Sequence, residues 1–181
     1  MKITKTNLAG LLIIEPAVYE DERGYFMESF SRSALKQYCD INFIQDNEAY
    51  SQRGVLRGLH YQIPPIAQSK LVRVAIGSVL DVVVDIRPES ETYGQSFSIV
   101  LSGENKKQLL VPRGFAHGYV VLSEHAYFLY KVDNVYSKEH EAGIKYDDEA
   151  LGIDWIIPND QLIISDKDQV QPLFSQHTPY N

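Results

Sequence analysis

The sequence predicts an all-β protein, an antiparallel jelly roll with a few short helices. Most segments are short, rich in β-forming residues and separated by Gly, Pro, Asn or Ser turn signals. Helical periodicity is scarce, and no repeat, low-complexity tract or linker divides the chain. Many strands with brief turns are typical of a sandwich or barrel. We therefore expect the 181 residues to form one domain, residues 1–181.

The strand prediction depends on three stretches that each contain a turn signal between two apolar runs. The turns fall near Gly77 in residues 70–88, near Gly103 in residues 96–112 and at Ser123 in residues 118–132. A short helix is predicted in "SRSALKQYC", starting near Ser31 or Ser33, with another turn or two between residues 138 and 155. None of these helices is long enough to cover a parallel sheet.

Composition and charge narrow the classes of function. The net charge of -7 disfavours a partner such as nucleic acid or an anionic membrane, so an anionic ligand would need a local cationic pocket. Cys39 is the only cysteine, which excludes an internal disulfide and a multi-cysteine metal site. The apolar run at residues 11–14 is too short for a signal peptide or a membrane span. We expect a cytoplasmic protein.

Strand alternation predicts which side chains face the pocket. Lys70 heads an inward row that continues through Val72, Val74 and Ile76. In "YFLYKV", the phenol of Tyr130 shares its face with apolar neighbours. The pattern therefore predicts an ammonium at the polar end of one apolar row and a phenol among apolar neighbours on another strand.

In the stretch "GVLRGLHYQ", two residues that could serve one site are predicted to lie on opposite faces of the strand. Strict alternation would place Arg57 on the face opposite to His60. Both can serve one site only if the strand contains a bulge or bend, and Gly58 is the natural place for it.

Each of these residues alone is more often structural than catalytic. A histidine or tyrosine in a strand usually makes structural hydrogen bonds, and cationic side chains commonly protect a sheet edge. Together, however, a base (His60), a cation (Lys70) and a phenol (Tyr130) are the groups needed to move a proton beside a carbonyl. This combination favours an enzyme.

A metal site of the cupin type is the main rival interpretation. His60 is followed by Tyr61 and Gln62, so the His-x-His pair of such sites is absent. His117 in "PRGFAHGY" supplies a second histidine, and two histidines with a distant acid stay open as an alternative. Metal binding is nevertheless disfavoured.

Three further segments are predicted to be turns or loops. In "PRGFAHGY" a turn with a left-handed Gly114 leads into a strand. "DERGYF" is a turn whose arginine could meet an anion, and the acid-rich stretch from residue 133 to 155 is predicted to be a solvated loop.

Several blocks, taken in order, resemble the dTDP-4-dehydrorhamnose 3,5-epimerase family. They cover residues 21–168 and are together highly specific: "DERGYFMESF", "FIQDNEAYS", "GVLRGLHYQIPPIAQSKLVRV", "GSVLDVVVDIRPES", "LVPRGFAHGYVVLS", "FLYKVDNVYSKEHEAGIKYDD" and "ISDKD". The resemblance implies a cupin-type jelly roll (double-stranded β-helix), a homodimer, a dTDP-sugar substrate and neither metal nor cofactor. It also implies an isomerase of dTDP-rhamnose biosynthesis, which supplies cell-surface polysaccharides.

The resemblance also implies the roles of individual residues. His60 would be the general base paired with Asp168, Lys70 would lie beside the C4 carbonyl of the sugar, and Tyr130 would donate a proton. Tyr136 would stack on the thymine. The other implied substrate contacts are Arg23, Glu28, Gln45, Asn47, Arg57, His117, Glu141 and Lys167.

Other functions fit parts of the same pattern. An epimerase acting at C3 only would use the same base and acid, and a ketoisomerase fits Lys70 and Tyr130 less well. A non-catalytic sugar-nucleotide module would keep the arginines and Tyr136 without needing His60, Lys70 and Tyr130 together. A metal-dependent cupin oxygenase would require bound metal.

Overall fold

The structure, a computed structural model, describes residues 1–181 and confirms the jelly roll. Two β-sheets of six strands each face one another, and a separate two-stranded hairpin lies outside them. The strands are β1 (Lys2–Lys5), β2 (Leu12–Glu15), β3 (Val18–Asp21), β4 (Gly24–Met27), β5 (Gln45–Gln52), β6 (Val55–Gln62), β7 (Lys70–Ile76), β8 (Ser78–Asp85), β9 (Ser96–Ser102), β10 (Gln108–Val111), β11 (Phe115–Val121), β12 (His125–Val132), β13 (Glu141–Gly143) and β14 (Ile163–Ile164).

The predicted turns connect strands that belong to different sheets. The first sheet has the order β1-β2-β10-β7-β12-β5, and the second has the order β13-β6-β11-β8-β9, with β14 parallel to β6. The turns near Gly77, Gly103 and Ser123 therefore each join one sheet to the other. This alternation brings side chains from distant parts of the sequence to face each other across the interior.

Two hydrophobic cores flank the second sheet. One lies between the two sheets and includes Val72, Val83, Leu109 and Phe128. The other covers the outer face of the second sheet, where Trp155 and other side chains from the C-terminal third pack against β6, β8 and β11. The second sheet is thus buried on both faces, which explains the continuous apolar run of β8.

The predicted inward row from Lys70 is correct as far as Val74 and wrong at Ile76. Ile76 is 54 % exposed and lies opposite Tyr127, whereas Val74 lies opposite Phe128. The register of β7 and β12 shifts between these pairs, so one extra residue of β7 reverses the face that follows it.

The acid-rich stretch is more ordered than a solvated loop. Residues 141–143 form β13, and Ile144, Leu151 and Trp155 are buried in the outer core. The indole of Trp155 donates to the carbonyl oxygen of Tyr146 at 2.8 Å. Most of its charged residues are exposed or half-buried, with Asp148 as the buried exception, and the apolar residues between them pack in the outer core.

Helices are short, as predicted. Helix α1 (Arg32–Leu35) follows Ser31, whose hydroxyl accepts from the Ala34 N–H, and a 3-10 turn covers Glu149–Leu151. The sequence did not predict α2 (Asp166–Gln169) or the 3-10 turns at Asn159–Gln161 and Phe174–Gln176. None of these helices has the length and apolar composition of a membrane-spanning segment.

The "DERGYF" turn is confirmed as the tip of the hairpin formed by β3 and β4. Two residues, Glu22 and Arg23, connect the strands before Gly24, which adopts a φ of +124°. The hairpin carries two large side chains that are mostly exposed, Tyr19 at 67 % and Phe26 at 70 %.

Candidate active site

The bulge predicted at Gly58 is present, and it changes which face of strand β6 the following side chains occupy. His60 lies opposite His117, and Arg57 lies opposite Tyr119. Three steps along β6 therefore match two steps along β11, so β6 contains one extra residue. Arg57 and His60, which strict alternation would separate, line the same cavity.

The residues beside the bulge explain why glycine is required there. Gly58 has a φ of +117°, and a Cβ at this position would lie 2.6 Å from the Cα of Gly118. The side chains of Leu56 and Leu59 on either side pack into the outer core. The bulge thus lets one strand send apolar side chains outward and Arg57 and His60 inward.

The cavity between the sheets holds about 510 Å³ of empty space, including its open mouth. The first sheet contributes Lys70 and Tyr130, and the second contributes Arg57, His60 and His117. The remaining lining residues are Ala49, Gly118, Tyr119 and Phe128. Five of the residues singled out from the sequence therefore share one cavity.

His60 forms a close pair with Asp168. The distance from His60 Nε2 to Asp168 Oδ1 is 2.5 Å, and Asp168 is only 3 % exposed. Although burial opposes ionisation, the hydrogen bond from His60, the Gly58 N–H and the Ser165 cap hold the pKa of Asp168 below its usual value. A carboxylate at Nε2 fixes a proton on that nitrogen and leaves Nδ1 as the basic atom.

The glycine bulge also contributes to this pair. The backbone N–H of Gly58 donates to Asp168 Oδ2 at 3.4 Å, because the bulge removes it from the regular ladder between β6 and β11. Helix α2 supplies the carboxylate from its first turn, where Ser165 accepts from the Asp168 N–H. Asp168 is thus oriented by two elements distant in sequence.

Lys70 presents an ammonium group with no ion-pair partner to the cavity. No carboxylate lies within 4.0 Å of its Nζ, the distance that defines the ion pairs of the structure. Burial lowers the pKa of Lys70 to about 8, against the opposing effects of Asp81 and Glu141. The group remains mostly cationic at neutral pH and can interact with a negative charge that develops nearby.

Tyr130 is half-buried on β12, next to the Lys70 strand. Burial raises the pKa of its phenol, and the positive charge of Arg57 opposes that rise. The phenol therefore remains protonated at neutral pH. Since His60 and Tyr130 belong to opposite sheets, a base and an acid face the cavity from its two sides.

His117 is held by Asp81, a residue that the sequence analysis did not identify. The two carboxylate oxygens of Asp81 lie 3.0 and 2.9 Å from His117 Nε2, and both residues are buried. Burial lowers the pKa of His117, although Asp81 acts in the opposite direction. His117 is therefore a neutral, fixed side chain in the wall of the cavity.

Five further predicted contacts form two small groups. Gln45 and Asn47 are joined by a side-chain hydrogen bond of 2.8 Å on β5, where Asn47 lies opposite Tyr130. Glu141 accepts from the Tyr136 hydroxyl at 2.9 Å and pairs with Lys167 at 2.6 Å. Lys167 directly precedes Asp168, so this second group lies next to the His60–Asp168 pair.

The last two predicted contacts lie on or just after the exposed β3–β4 hairpin and, like the five residues of these two groups, do not line the cavity. Arg23 occupies the tip of the exposed hairpin, and its guanidinium pairs with Asp21 at 2.5 Å. Glu28 is exposed just after β4. Within one chain, neither residue lines the cavity that contains His60.

Comparison with known proteins identifies the family of this chain. The family model described as dTDP-4-dehydrorhamnose 3,5-epimerase matches residues 5–176. The chain belongs to this family. The epimerase of Salmonella typhimurium is 50 % identical over 179 residues, covering 97 % of both chains. The crystal structure of the epimerase from Elizabethkingia anophelis has a TM-score of 0.93 at 52 % identity, with 97 % of each chain covered.

A ligand complex is known for another relative, a dTDP-6-deoxy-D-glucose-3,5-epimerase. The epimerase from Legionella pneumophila, solved with dTDP-4-keto-L-rhamnose, matches with a TM-score of 0.94 and 45 % identity. The match covers 99 % of this chain and 98 % of that one.

Three cavity-associated residues of this epimerase-family chain were missed in the sequence analysis: Ser51, Asp81 and Tyr119. Asp81 could have been found, because a carboxylate in the apolar run "SVLDVVVD" must have a buried partner. Ser51 and Tyr119 carry no such signal. A serine or tyrosine in a strand is common, and only the register of β5, β6 and β11 reveals their position.

Proposed function

We propose that this chain catalyses the dTDP-4-dehydrorhamnose 3,5-epimerase reaction. It converts dTDP-4-dehydro-6-deoxyglucose into dTDP-4-dehydro-L-rhamnose by inverting C3 and C5, a step of dTDP-rhamnose biosynthesis. The observation that carries the proposal is the placement of His60 and Tyr130 on opposite sides of one cavity, with Lys70 beside Tyr130.

His60 is the general base of the proposed reaction. The protons on C3 and C5 are both α to the C4 ketone, so removal of either gives an enolate. His60 Nδ1 takes the proton, and Asp168 stabilises the resulting imidazolium through Nε2. The carboxylate remains ionised throughout because its pKa is held low.

Lys70 stabilises the enolate oxygen. Negative charge develops on the C4 oxygen as the carbon–hydrogen bond breaks, and an ammonium without a carboxylate partner is suited to meet it. Donors of this kind typically contribute about 3 kcal/mol to transition-state stabilisation. His117, kept neutral by burial and oriented by Asp81, lies in the facing wall and adds no further charge.

Tyr130 returns a proton to the opposite face of the carbon. Its O–H bond breaks as the new carbon–hydrogen bond forms, and the enolate returns to the ketone. The phenolate that remains is stabilised by the positive charge of Arg57 until it regains a proton. The configuration inverts because His60 and Tyr130 act from different sheets.

The nucleotide part of the substrate binds through the more exposed residues. Arg57 offers a guanidinium for the diphosphate or the sugar, and Tyr136, which is 58 % exposed, offers a ring for the thymine. Glu141, which contacts Tyr136, its partner Lys167, and Gln45 and Asn47 on β5 provide further polar groups. The reaction transfers protons only, so it requires no redox cofactor.

We also propose that two copies form a homodimer in the cytoplasm. The exposed aromatic residues of the β3–β4 hairpin provide an apolar contact surface, since Tyr19 and Phe26 are each at least 67 % exposed. In a dimer the hairpin would carry Arg23 and Glu28 to the cavity of the partner subunit. This arrangement reconciles their predicted role with their position outside the cavity of their own chain.

An epimerase that inverts C3 alone is the second candidate. It is favoured by the match to a 3'-monoepimerase from Streptomyces bikiniensis, which has a TM-score of 0.88 at 29 % identity. Proton NMR of dTDP-4-dehydro-6-deoxyglucose with the enzyme in deuterated water separates the two. Deuterium at C3 and C5 is the expected result, deuterium at C3 alone supports the monoepimerase, and no exchange overturns both.

A further inference from the structure

A second tyrosine lies in the wall of the active-site cavity. Tyr119 of β11 is 5 % exposed and its ring is stacked on that of Phe128, with centroids 4.1 Å apart. It is the next inward side chain after His117 on the same strand and lies opposite Arg57 on β6. The ring thus lies between the catalytic region and the apolar core.

The hydroxyl of Tyr119 is buried and has no hydrogen-bond partner of normal geometry. A buried hydroxyl without a partner is unfavourable in a folded protein, so its presence calls for a specific explanation. For packing alone, phenylalanine would fill the same space without that cost.

The neighbouring serine cannot accept the Tyr119 proton. Nε and Nη2 of Arg57 both donate to Ser51 Oγ, each at 3.2 Å. A serine oxygen has two lone pairs, so these contacts occupy its accepting capacity. Ser51 could therefore only donate, so it provides no acceptor for the Tyr119 hydrogen.

Burial raises the pKa of Tyr119, while Ser51 and Arg57 nearby oppose that rise. No protein group is left to accept the phenolic hydrogen, and Tyr119 lines the cavity. The acceptor must therefore enter the cavity from outside the chain.

We propose that Tyr119 is a substrate-binding residue that donates a hydrogen bond to an oxygen of the sugar moiety. The sugar is the uncharged part of the ligand and can enter this buried region, whereas the diphosphate remains with the exposed Arg57. This inference deepens the proposed function and rests on it for the identity of the sugar nucleotide.

Tyr119→Phe removes only the hydroxyl and tests the proposal by calorimetric binding of dTDP-glucose and of dTDP. The loss of one neutral hydrogen bond should weaken dTDP-glucose binding about fivefold to tenfold and leave dTDP within about twofold. The thermal midpoint should stay the same or rise, because a buried unpartnered hydroxyl is removed. The kcat/KM for dTDP-4-dehydro-6-deoxyglucose should fall by a similar factor.

Tyr61→Phe is the matched control. Tyr61 is 4 % exposed, but its hydroxyl donates to the Thr178 carbonyl oxygen at 2.5 Å in the outer core. This variant should lose stability and keep both affinities. Equal weakening of dTDP and dTDP-glucose in Tyr119→Phe, or no weakening of either, would overturn the sugar contact. Wild-type protein that binds dTDP-glucose without turning over the ketosugar would instead overturn the epimerase proposal, and the binding comparison would still test Tyr119.

Discussion

His60 Nε2 lies 2.5 Å from Asp168 Oδ1, although the two residues are 108 positions apart in the chain. The histidine belongs to the bulged strand β6, and the carboxylate belongs to the first turn of α2 near the C-terminus. The base therefore reaches its working orientation only when the C-terminal segment is packed against the jelly roll.

Asp168→Asn should leave the fold intact and reduce kcat by up to about 10⁴-fold, as the loss of the charge does in histidine–aspartate pairs of hydrolases. The amide keeps the size of the side chain but no longer stabilises the imidazolium. Steady-state kinetics measures the effect. Asp166→Asn, in the same helix turn but exposed, is the control and should keep wild-type kcat. Similar rates for both variants would exclude a role for the His60–Asp168 pair.

The pH profile of kcat/KM should fall on the alkaline side near pH 8. Burial lowers the pKa of Lys70 to about 8, so the ammonium is present below this pH and is lost as the pH rises through it. Lys70→Met should lose most activity, and its residual profile should lack this limb. The control Lys131→Met removes a lysine that pairs with Asp46, and its pH profile should keep the alkaline limb. A limb near pH 8 that persists in Lys70→Met would assign it to another group.

The same Lys70→Met variant should be more stable than the wild type at neutral pH. Because folding lowers the pKa of this cation, the unfolded chain binds the proton more tightly, and wild-type stability rises with pH between about 8 and the unfolded value of 10.5. Methionine removes the buried charge. Thermal unfolding at pH 7 should show a higher midpoint for the variant; a lower midpoint would mean that the ammonium has a stabilising partner.

Tyr130→Phe should separate proton removal from inversion. Without the phenol, the enolate formed by His60 can be reprotonated only from the face of the base. Product formation should fall about 10²- to 10⁴-fold, while deuterium from solvent still enters the recovered substrate. NMR of the substrate and product measures both. Parallel loss of exchange and of product would show that Tyr130 is needed before the proton leaves.

Mixing two inactive variants tests whether the hairpin acts on a partner subunit. In a mixed dimer of His60→Ala and Arg23→Ala chains, a hairpin acting between subunits produces one site with both substitutions and one site with neither. Refolding the two variants together should therefore restore activity in a substantial fraction of molecules. Mixtures as inactive as the separate variants, in dimers whose size is verified by light scattering, would place Arg23 in the site of its own chain.

Gly58→Ala should destabilise the protein by at least about 3 kcal/mol, since it adds a backbone clash to the strain of a positive φ. Gly24→Ala isolates the strain, because Gly24 has a similar φ of +124° and a Cβ there would have no atom within 4 Å. That control should cost about 1–2 kcal/mol. Denaturant unfolding measures both, and equal losses would show that the contact with Gly118 is not restrictive.

Much of this architecture could be predicted because its signals are local. Short apolar runs with Gly and Ser turns indicate strands, and the conflict between Arg57 and His60 is sufficient to place a bulge at Gly58. The face of Ile76 could not be predicted in this way, because the extra residue in β7 is visible only from its pairing with β12.

The pairings between distant residues were beyond pattern analysis. The contacts of His117 with Asp81 and of Arg57 with Ser51 depend on which strands become neighbours, and the sequence does not specify their register. The degree of order in the C-terminal third was underestimated for a different reason. Its frequent charges conceal a few apolar residues, such as Ile144 and Trp155, that attach it to the outer core.

The bulge in β6 has a consequence for how this protein can change over evolutionary time. Leu56 and Leu59 are anchored on one side of the strand, while Arg57 and His60 face the other. Selection for thermal tolerance and selection for a different sugar can therefore act on separate residues of the same strand. Both the stability of the strand and the position of its site residues depend on Gly58. Changes of substrate specificity on this strand therefore require that this glycine is retained.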